Sequence, residues 1–411
     1  MKALLCGDFA RATGYSGVNE CVASELTARG WDVAVLAAGY GGQPHPLQAR
    51  YRLWPAPERT DFLGLNRLAD VVRAERPDVV LVTATPWVVA RYLNSIPPGV
   101  PVAAYMPVDA PNLDPAYVQA LDRLALAIPY TRFAEDELRT AGYAGPSTII
   151  PHGIAHDTFY PVPQAEARAA LGLDPDLFIV LWIDRNQPRK RLDLAMRAFA
   201  RFAADKPEAR LLLHTGARDV GWNPAHEAHK AGCADKVILT SDSLSPESGW
   251  PVDELRVVYS AADVRLSTTA GEGWGLTIME AMACGLPVAA PDWSALGEWA
   301  APAALLYPVA GTQSAINRTG TDEAVIDPAD AATALEALYQ RPDMRDALRA
   351  AGLALTEREC YRWPVIGAQF DEALRYAVAA QDGRSGAEGA EGGPDYAEAR
   401  RMAHSASGGG A

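Results

Sequence analysis

Apolar residues along this chain fall into two kinds of segment. Short continuous apolar runs lie at residues 3–6, 32–37, 78–83, 102–106, 126–130 and 148–150, and again at 178–183, 211–214, 236–240 and 264–267. Runs of that length, bounded by Gly, Asp or Pro, read as buried strands. Between them apolar positions recur three or four apart, as in Val18, Val22 and Leu26 or across 65–75, 114–123, 132–141, 192–202 and 253–262, which predicts amphipathic helices. Later helices are expected at 330–340, 344–353 and 360–380. Strands alternating with helices predict an α/β fold of parallel sheets with helices on both faces. The alternation pauses at 151–161, where Pro151, Gly153, Phe159, Tyr160 and Pro161 make a turn-rich aromatic segment, and restarts at 178. From 381 to 411 Gly, Ala, Ser and Glu dominate without apolar periodicity, and a disordered tail is expected.

The 411 residues suffice for two or three domains, and 49% hydrophobic with 21% charged residues is ordinary for a globular protein. A net charge of −14 removes long-range attraction to nucleic acid or anionic membrane, so no stable nucleic-acid binding and at most peripheral membrane contact are expected. The five cysteines are scattered without a C-x-x-C pair, as reduced cytoplasmic thiols would be. No stretch has the apolar length of a signal peptide or membrane span. His226-Glu227-Ala228-His229 imitates a zinc motif, but its histidines stand three apart rather than four and no third ligand accompanies them, so no metal is expected.

Candidate chemistry concentrates in 271–291. Gly273 and Gly275 leave a turn bare of side chains, and it runs into a helix whose Leu276, Met279, Met282 and Ala283 recur at helical spacing before Gly285 and Pro287 stop it. The unpaired amides of such a helix start favour phosphate. Glu272 and Glu280 are poor neighbours for phosphate, so they are expected to accept hydrogen bonds from hydroxyls at both ends of a diphosphate, as a nucleotide-sugar offers. The plainer alternative makes Glu272 a helix-capping acid and Glu280 a solvated helix residue. A second cluster, Arg185, Arg189, Lys190 and Arg191, follows the 178–183 strand. Cations at a helix start oppose its dipole unless an anion is bound there.

The E-x7-E spacing of Glu272 and Glu280, with Gly-Trp-Gly-Leu after the first acid and Ala-Met-Ala-Cys-Gly-Leu-Pro-Val after the second, resembles the signature of retaining glycosyltransferases of family 4. That resemblance implies a GT-B fold, two Rossmann-like domains facing across a cleft: 1–160 on the acceptor side, completed by a C-terminal helix at 361–380, and 161–360 binding the nucleotide-sugar. By resemblance Glu272 holds the donor sugar, Glu280 the ribose hydroxyls, and Gly273, Trp274, Gly275, Leu276 and Thr277 meet sugar and phosphate through their amides. The 184–191 loop resembles the family's diphosphate clamp, which assigns Arg185 and Lys190 to the phosphates and leaves Arg189 and Arg191 facing solvent. The base is expected near Thr215, Gly216, Thr240 and Ser241. The implied reaction moves a hexose-type sugar, with retention, from a nucleotide-diphosphate donor to an acceptor hydroxyl and needs neither cofactor nor metal.

In the first half, the strand at 3–6 is followed by a loop carrying Gly14 and Gly17, too late for the G-x-G-x-x-G of a nicotinamide-binding domain. In the family a glycine loop here reaches the cleft, which makes Ser16 and Gly17 contacts to donor phosphate or acceptor; a flexible turn is the alternative. Asp109 follows a strand end, where ligands of open α/β sheets bind. It is a candidate acid or base for the acceptor, or a turn-capping residue. Val108 stands before it where many family members have His, which leaves the sugar's identity open. His152, in the segment between domains, reads as a hydrogen-bonded structural histidine or as a cleft residue. Other readings are a different GT-B activity such as sugar-nucleotide epimerisation or phosphorolysis, or a non-catalytic nucleotide-sugar-binding module. The acceptor is open among saccharide, lipid, protein and nucleic acid.

Overall fold

The structure, a computed structural model, describes residues 1–216, 219–240, 249–315 and 320–385. Strands β1 (Lys2–Asp8), β2 (Asp32–Ala38), β3 (Arg52–Ala56), β4 (Val79–Thr83), β5 (Val102–Met106) and β6 (Leu126–Pro129) form one sheet in the order β3-β2-β1-β4-β5-β6. Strands β7 (Phe178–Ile183), β8 (Ala209–His214), β9 (Val237–Leu239), β10 (Val264–Leu266), β11 (Val288–Pro291) and β12 (Ala304–Tyr307) form a second, in the order β12-β11-β10-β7-β8-β9. Every neighbour pair within the two sheets is parallel. Both orders reverse beside their first strand, which opens a crevice at the carboxyl ends of the strands. A small antiparallel pair, β13 (Gly311–Ser314) with β14 (Asp322–Val325), extends the second unit. The expected α/β class is what folds, because β1, β4, β5 and β7 are apolar on both faces and must be covered twice.

Several elements depart from the pattern. β3, β13 and β14 have no clear apolar run: β3 is an edge strand, which need bury only one side, and β13 and β14 pair only with each other. The segment 148–150, expected as a strand, lies along β6 through the Thr148 and Ile150 amides and makes a single bridge at Ala127 and Ser147. Pro146 and Pro151, which donate no amide, bound it. The first helix begins at Gly14 rather than after Gly17, because the Thr13 hydroxyl caps it by accepting from the Ser16 amide.

The last helix, Trp363–Ser385, runs past residue 380, where composition suggested the tail begins; the rest of that tail, 386–411, lies outside the described residues. This helix lies on the first sheet's side of the molecule. Phe370 meets the Tyr105 ring edge-on at 4.9 Å, and Asp371 accepts a 2.7 Å hydrogen bond from the Trp31 indole. Among the described residues no helix is long and apolar enough to cross a membrane.

Candidate active site

The helix Leu276–Ala283 starts from Gly275, whose φ of +92° is a conformation that favours glycine, with no side chain capping the amides of its first turn. Its N-terminus faces the first sheet. A Cβ on Gly273 would come to 2.5 Å from the Pro107 Cβ and 3.0 Å from Asp109 Oδ1, so this position tolerates only hydrogen where the two walls meet. The Gly273 amide donates to the Asp109 carboxylate. On the other side Gly14 abuts Leu276.

Across this junction runs a chain of alternating charges. Arg189 Nε lies 3.6 Å from Asp109 Oδ2, and its guanidinium is 3.1 Å from Glu272 Oε2 and donates to the Gly271 carbonyl at 2.7 Å. Glu272 Oε1 accepts from the Lys190 ammonium. Lys190 lies 2.8 Å from Asp184 Oδ1, and Asp184 Oδ2 lies 2.5 Å from the Arg265 guanidinium. The Thr277 hydroxyl, in the helix's first turn, donates to Asp184 Oδ1 at 3.2 Å.

These contacts set the protonation states. Burial pushes the Glu272 carboxyl up, but Arg189 and Lys190 together outweigh it and hold it at about 2. Burial pushes Asp109 up as well, Arg189 pulls it back and Glu272 pushes it on, and the result lies above the usual carboxylate range. Glu280, within reach of the same cluster, accepts a 2.6 Å hydrogen bond from the Tyr259 hydroxyl, yet burial raises it to about 7.

Arg189 is a correction. Expected to face solvent, it stands in the cleft because Pro188–Lys190 forms a tight turn and Arg191 leaves it at φ +53°. That turn is fastened by the Ala270 amide, which donates to the Arg189 carbonyl, and by Thr268, whose hydroxyl donates to the carbonyls of Lys190 and Arg191. Arg191 also has partners, lying against Asp193 at 3.0 Å and over the Trp222 ring. Arg185 is exposed and makes a two-pronged contact with Asp219, apart from the Lys190 chain.

Other candidates divide. The Trp274 side chain turns into the core, stacked on Trp299 at 4.9 Å, leaving only its backbone for a ligand. The Ser16 hydroxyl is buried and accepts from the Arg11 amide, and the Gly17 amide is spent on the Thr13 carbonyl, so both serve the loop's own conformation. His152 is structural: buried, it shares a 2.6 Å hydrogen bond with the Tyr105 hydroxyl, and burial lowers it to about 3. The Thr215 hydroxyl donates to the Asp184 carbonyl, and Thr240 bonds the His214 ring; Ser241 lies outside the described residues. In the His226-Glu227-Ala228-His229 segment, Glu227 pairs with Lys230. Among the described residues no cluster of His, Cys, Asp and Glu could hold a metal ion.

Sequence reasoning missed Asp184, Arg265 and Tyr15. For Arg265 the signal was present, a lone arginine between Val264 and Leu266 in an apolar strand. Tyr15 had none; its phenol, raised by burial and by Asp109, stands among Asp109, Arg189 and Glu272 only because the loop folds back.

Residues 178–341 match the family Glycosyl transferases group 1. A D-inositol 3-phosphate glycosyltransferase of Streptosporangium roseum is 30% identical over 268 residues, covering 64% of this chain and 57% of that protein. Another of the same description, from Mycobacterium sp. (strain JLS), is 36% identical over 178 residues, covering 42% of this chain and 38% of the relative. The chain thus matches between about a third and just over half of these relatives' length. Among solved structures, sucrose-phosphate synthase from Thermosynechococcus elongatus superimposes with a TM-score of 0.71 at 21% identity, over 92% of this chain and 99% of that one. The Anabaena protein Alr3699/HepE, in complex with UDP-glucose, superimposes with a TM-score of 0.69 at 16% identity, over 91% and 99%. These likenesses show the fold, GT-B.

Proposed function

We propose that this chain, whose residues 178–341 match the family Glycosyl transferases group 1 and whose fold is GT-B, moves a hexose-type sugar, with retention, from a nucleotide-diphosphate sugar to an acceptor hydroxyl. One observation carries the reading: buried Lys190 and half-buried Arg189 meet on Glu272, beside the uncapped start of the Leu276–Ala283 helix and opposite Asp109.

In this reading the donor's diphosphate lies between Lys190 and the helix amides, with Arg185 swinging from Asp219 to complete the clamp. Cationic side chains and aligned amides already in place lower the cost of charge developing on the leaving phosphate without a metal ion. Glu272, kept ionised by its two cations, accepts from a sugar hydroxyl, and Glu280 from the ribose. The leaving phosphate oxygen takes the acceptor's proton on the face from which it departs, so no side-chain nucleophile is required. Asp109, at the first sheet's edge of the cleft, orients the acceptor hydroxyl. We also propose that the chain acts in the cytoplasm, where its five free cysteines would stay reduced.

A donor screen tests this directly: thermal stabilisation by UDP-, GDP- and ADP-sugars, followed by anomer analysis of the transferred sugar. An inverted product overturns retention. Binding without transfer or donor hydrolysis would reduce the protein to a nucleotide-sugar-binding module.

A further inference from the structure

Arg265 is the largest charged side chain with no exposed surface among the described residues, and it sits in the middle of the short strand β10 between Val264 and Leu266. Its guanidinium reaches Asp184 Oδ2 at 2.5 Å, the Ile183 carbonyl at 3.0 Å and the Thr277 hydroxyl at 3.3 Å, while its buried Nε has no partner. Stability does not account for such an arrangement. A buried ion pair is on the whole no more stabilising than well-packed apolar side chains of the same volume, and an unsatisfied buried donor costs further.

The neighbours suggest another role. Asp184 directly follows β7, beside the first turn of the Leu276–Ala283 helix, and shares its Oδ1 between Lys190 at 2.8 Å and Thr277 at 3.2 Å. An unneutralised carboxylate there would repel a diphosphate and consume the Lys190 charge. Two arginines offset this: Arg265 faces Asp184, and Arg189 faces Glu272 and Asp109, so with Lys190 the three cations balance the three carboxylates, and loss of Arg265 would leave the cluster net negative around the lysine. Arg265 holds Asp184 from below, and Asp184 in turn fixes both the lysine ammonium and the threonine hydroxyl at the helix start.

We infer that Arg265 is a positioning residue for the donor site, neutralising Asp184 so that Lys190 keeps its charge for the diphosphate of a nucleotide-sugar. This rests on the glycosyl-transfer reading above. Arg265 touches no ligand itself; it acts through Asp184.

The test is calorimetric titration of the full chain with UDP, GDP and ADP, alongside a thermal melt of each variant. Wild type is expected to bind at least one of the three; if it binds none, the transfer reading falls and this inference with it. With binding established, Arg265→Met is expected to weaken it at least tenfold, and Arg265→Lys, which keeps the charge, to stay within about threefold. The double variant Asp184→Asn/Arg265→Met, with neither charge, is expected to recover most of the affinity. A folded Arg265→Met that binds like wild type overturns the inference. Should that variant not fold, the double variant decides: affinity near wild type upholds the inference, and a folded double variant at least tenfold weaker overturns it, since that would mean Arg265 matters for something other than cancelling Asp184.

Discussion

Glu280 has its proton balanced near neutrality by burial, the opposite of Glu272 eight residues earlier, and the two therefore answer pH differently. If Glu280 must be ionised to accept from a ribose, affinity for a UDP- or GDP-sugar, whose diphosphate does not titrate there, is expected to rise between about pH 6 and 8. The Glu280→Gln variant is expected to bind more weakly with a flat profile; a sloping profile in that variant would assign the titration elsewhere. The stability sign is the reverse. A carboxyl raised from 4.5 to about 7 contributes stability that is present below 4.5 and lost as pH rises through 7, so urea unfolding of Glu280→Gln is expected to lack that decline. Glu272, lowered to about 2, contributes stability present above 4.5 and lost as pH falls toward 2. For Lys190→Ala, losing a charge-assisted bond of roughly 1.5–3 kcal/mol predicts about 10- to 100-fold weaker donor binding, read by calorimetry.

At the scale of elements, the cleft depends on how closely a turn and a loop approach. Gly273→Ala would drive a methyl against Pro107 and Asp109 while leaving each sheet intact. Its expected signature is an unchanged melting temperature with transfer reduced by about tenfold or more, because a small misplacement of reacting groups is costly. The Trp363–Ser385 helix is the converse case, an element far from the chemistry that completes the first unit. Ile366, Phe370, Ala373, Leu374 and Ala377 are buried in one core with β1, β4 and β5 residues. A chain ending at residue 362 is expected to lose cooperative unfolding by calorimetry, since a sheet face built for helix packing would lie open.

For the whole molecule, the two units meet through apolar contacts, such as Leu276 against Gly14 and Pro107 against Gly273, and through polar contacts around the cleft. Glu298, from the second unit, accepts from the Arg132 and Phe133 amides at 3.0 and 2.7 Å and so caps the Arg132–Thr140 helix of the first. Asn112 donates to Asp322, and Arg189 faces Asp109, at other points of the same seam. Glu298→Ala is expected to speed hydrogen exchange at the Arg132 and Phe133 amides and leave exchange within both sheets unchanged; faster exchange in the sheets would make Glu298 a determinant of folding instead.

The sequence by itself determined the α/β class, because continuous apolar runs alternating with helical spacing admit little else, and it marked out the candidate site, because Glu272, Glu280, the glycine turn and the 185–191 cations are local patterns. Pairing was decided only by the tertiary structure. Whether Arg189 faces solvent depends on a backbone turn of a few residues, and its partners Asp109 and Glu272 are far from it along the chain. Asp184 and Arg265, 81 residues apart, acquire a role only when β7 and β10 lie side by side. Local propensity reads one element at a time, whereas charge compensation in a buried site is a property of the groups that folding brings together.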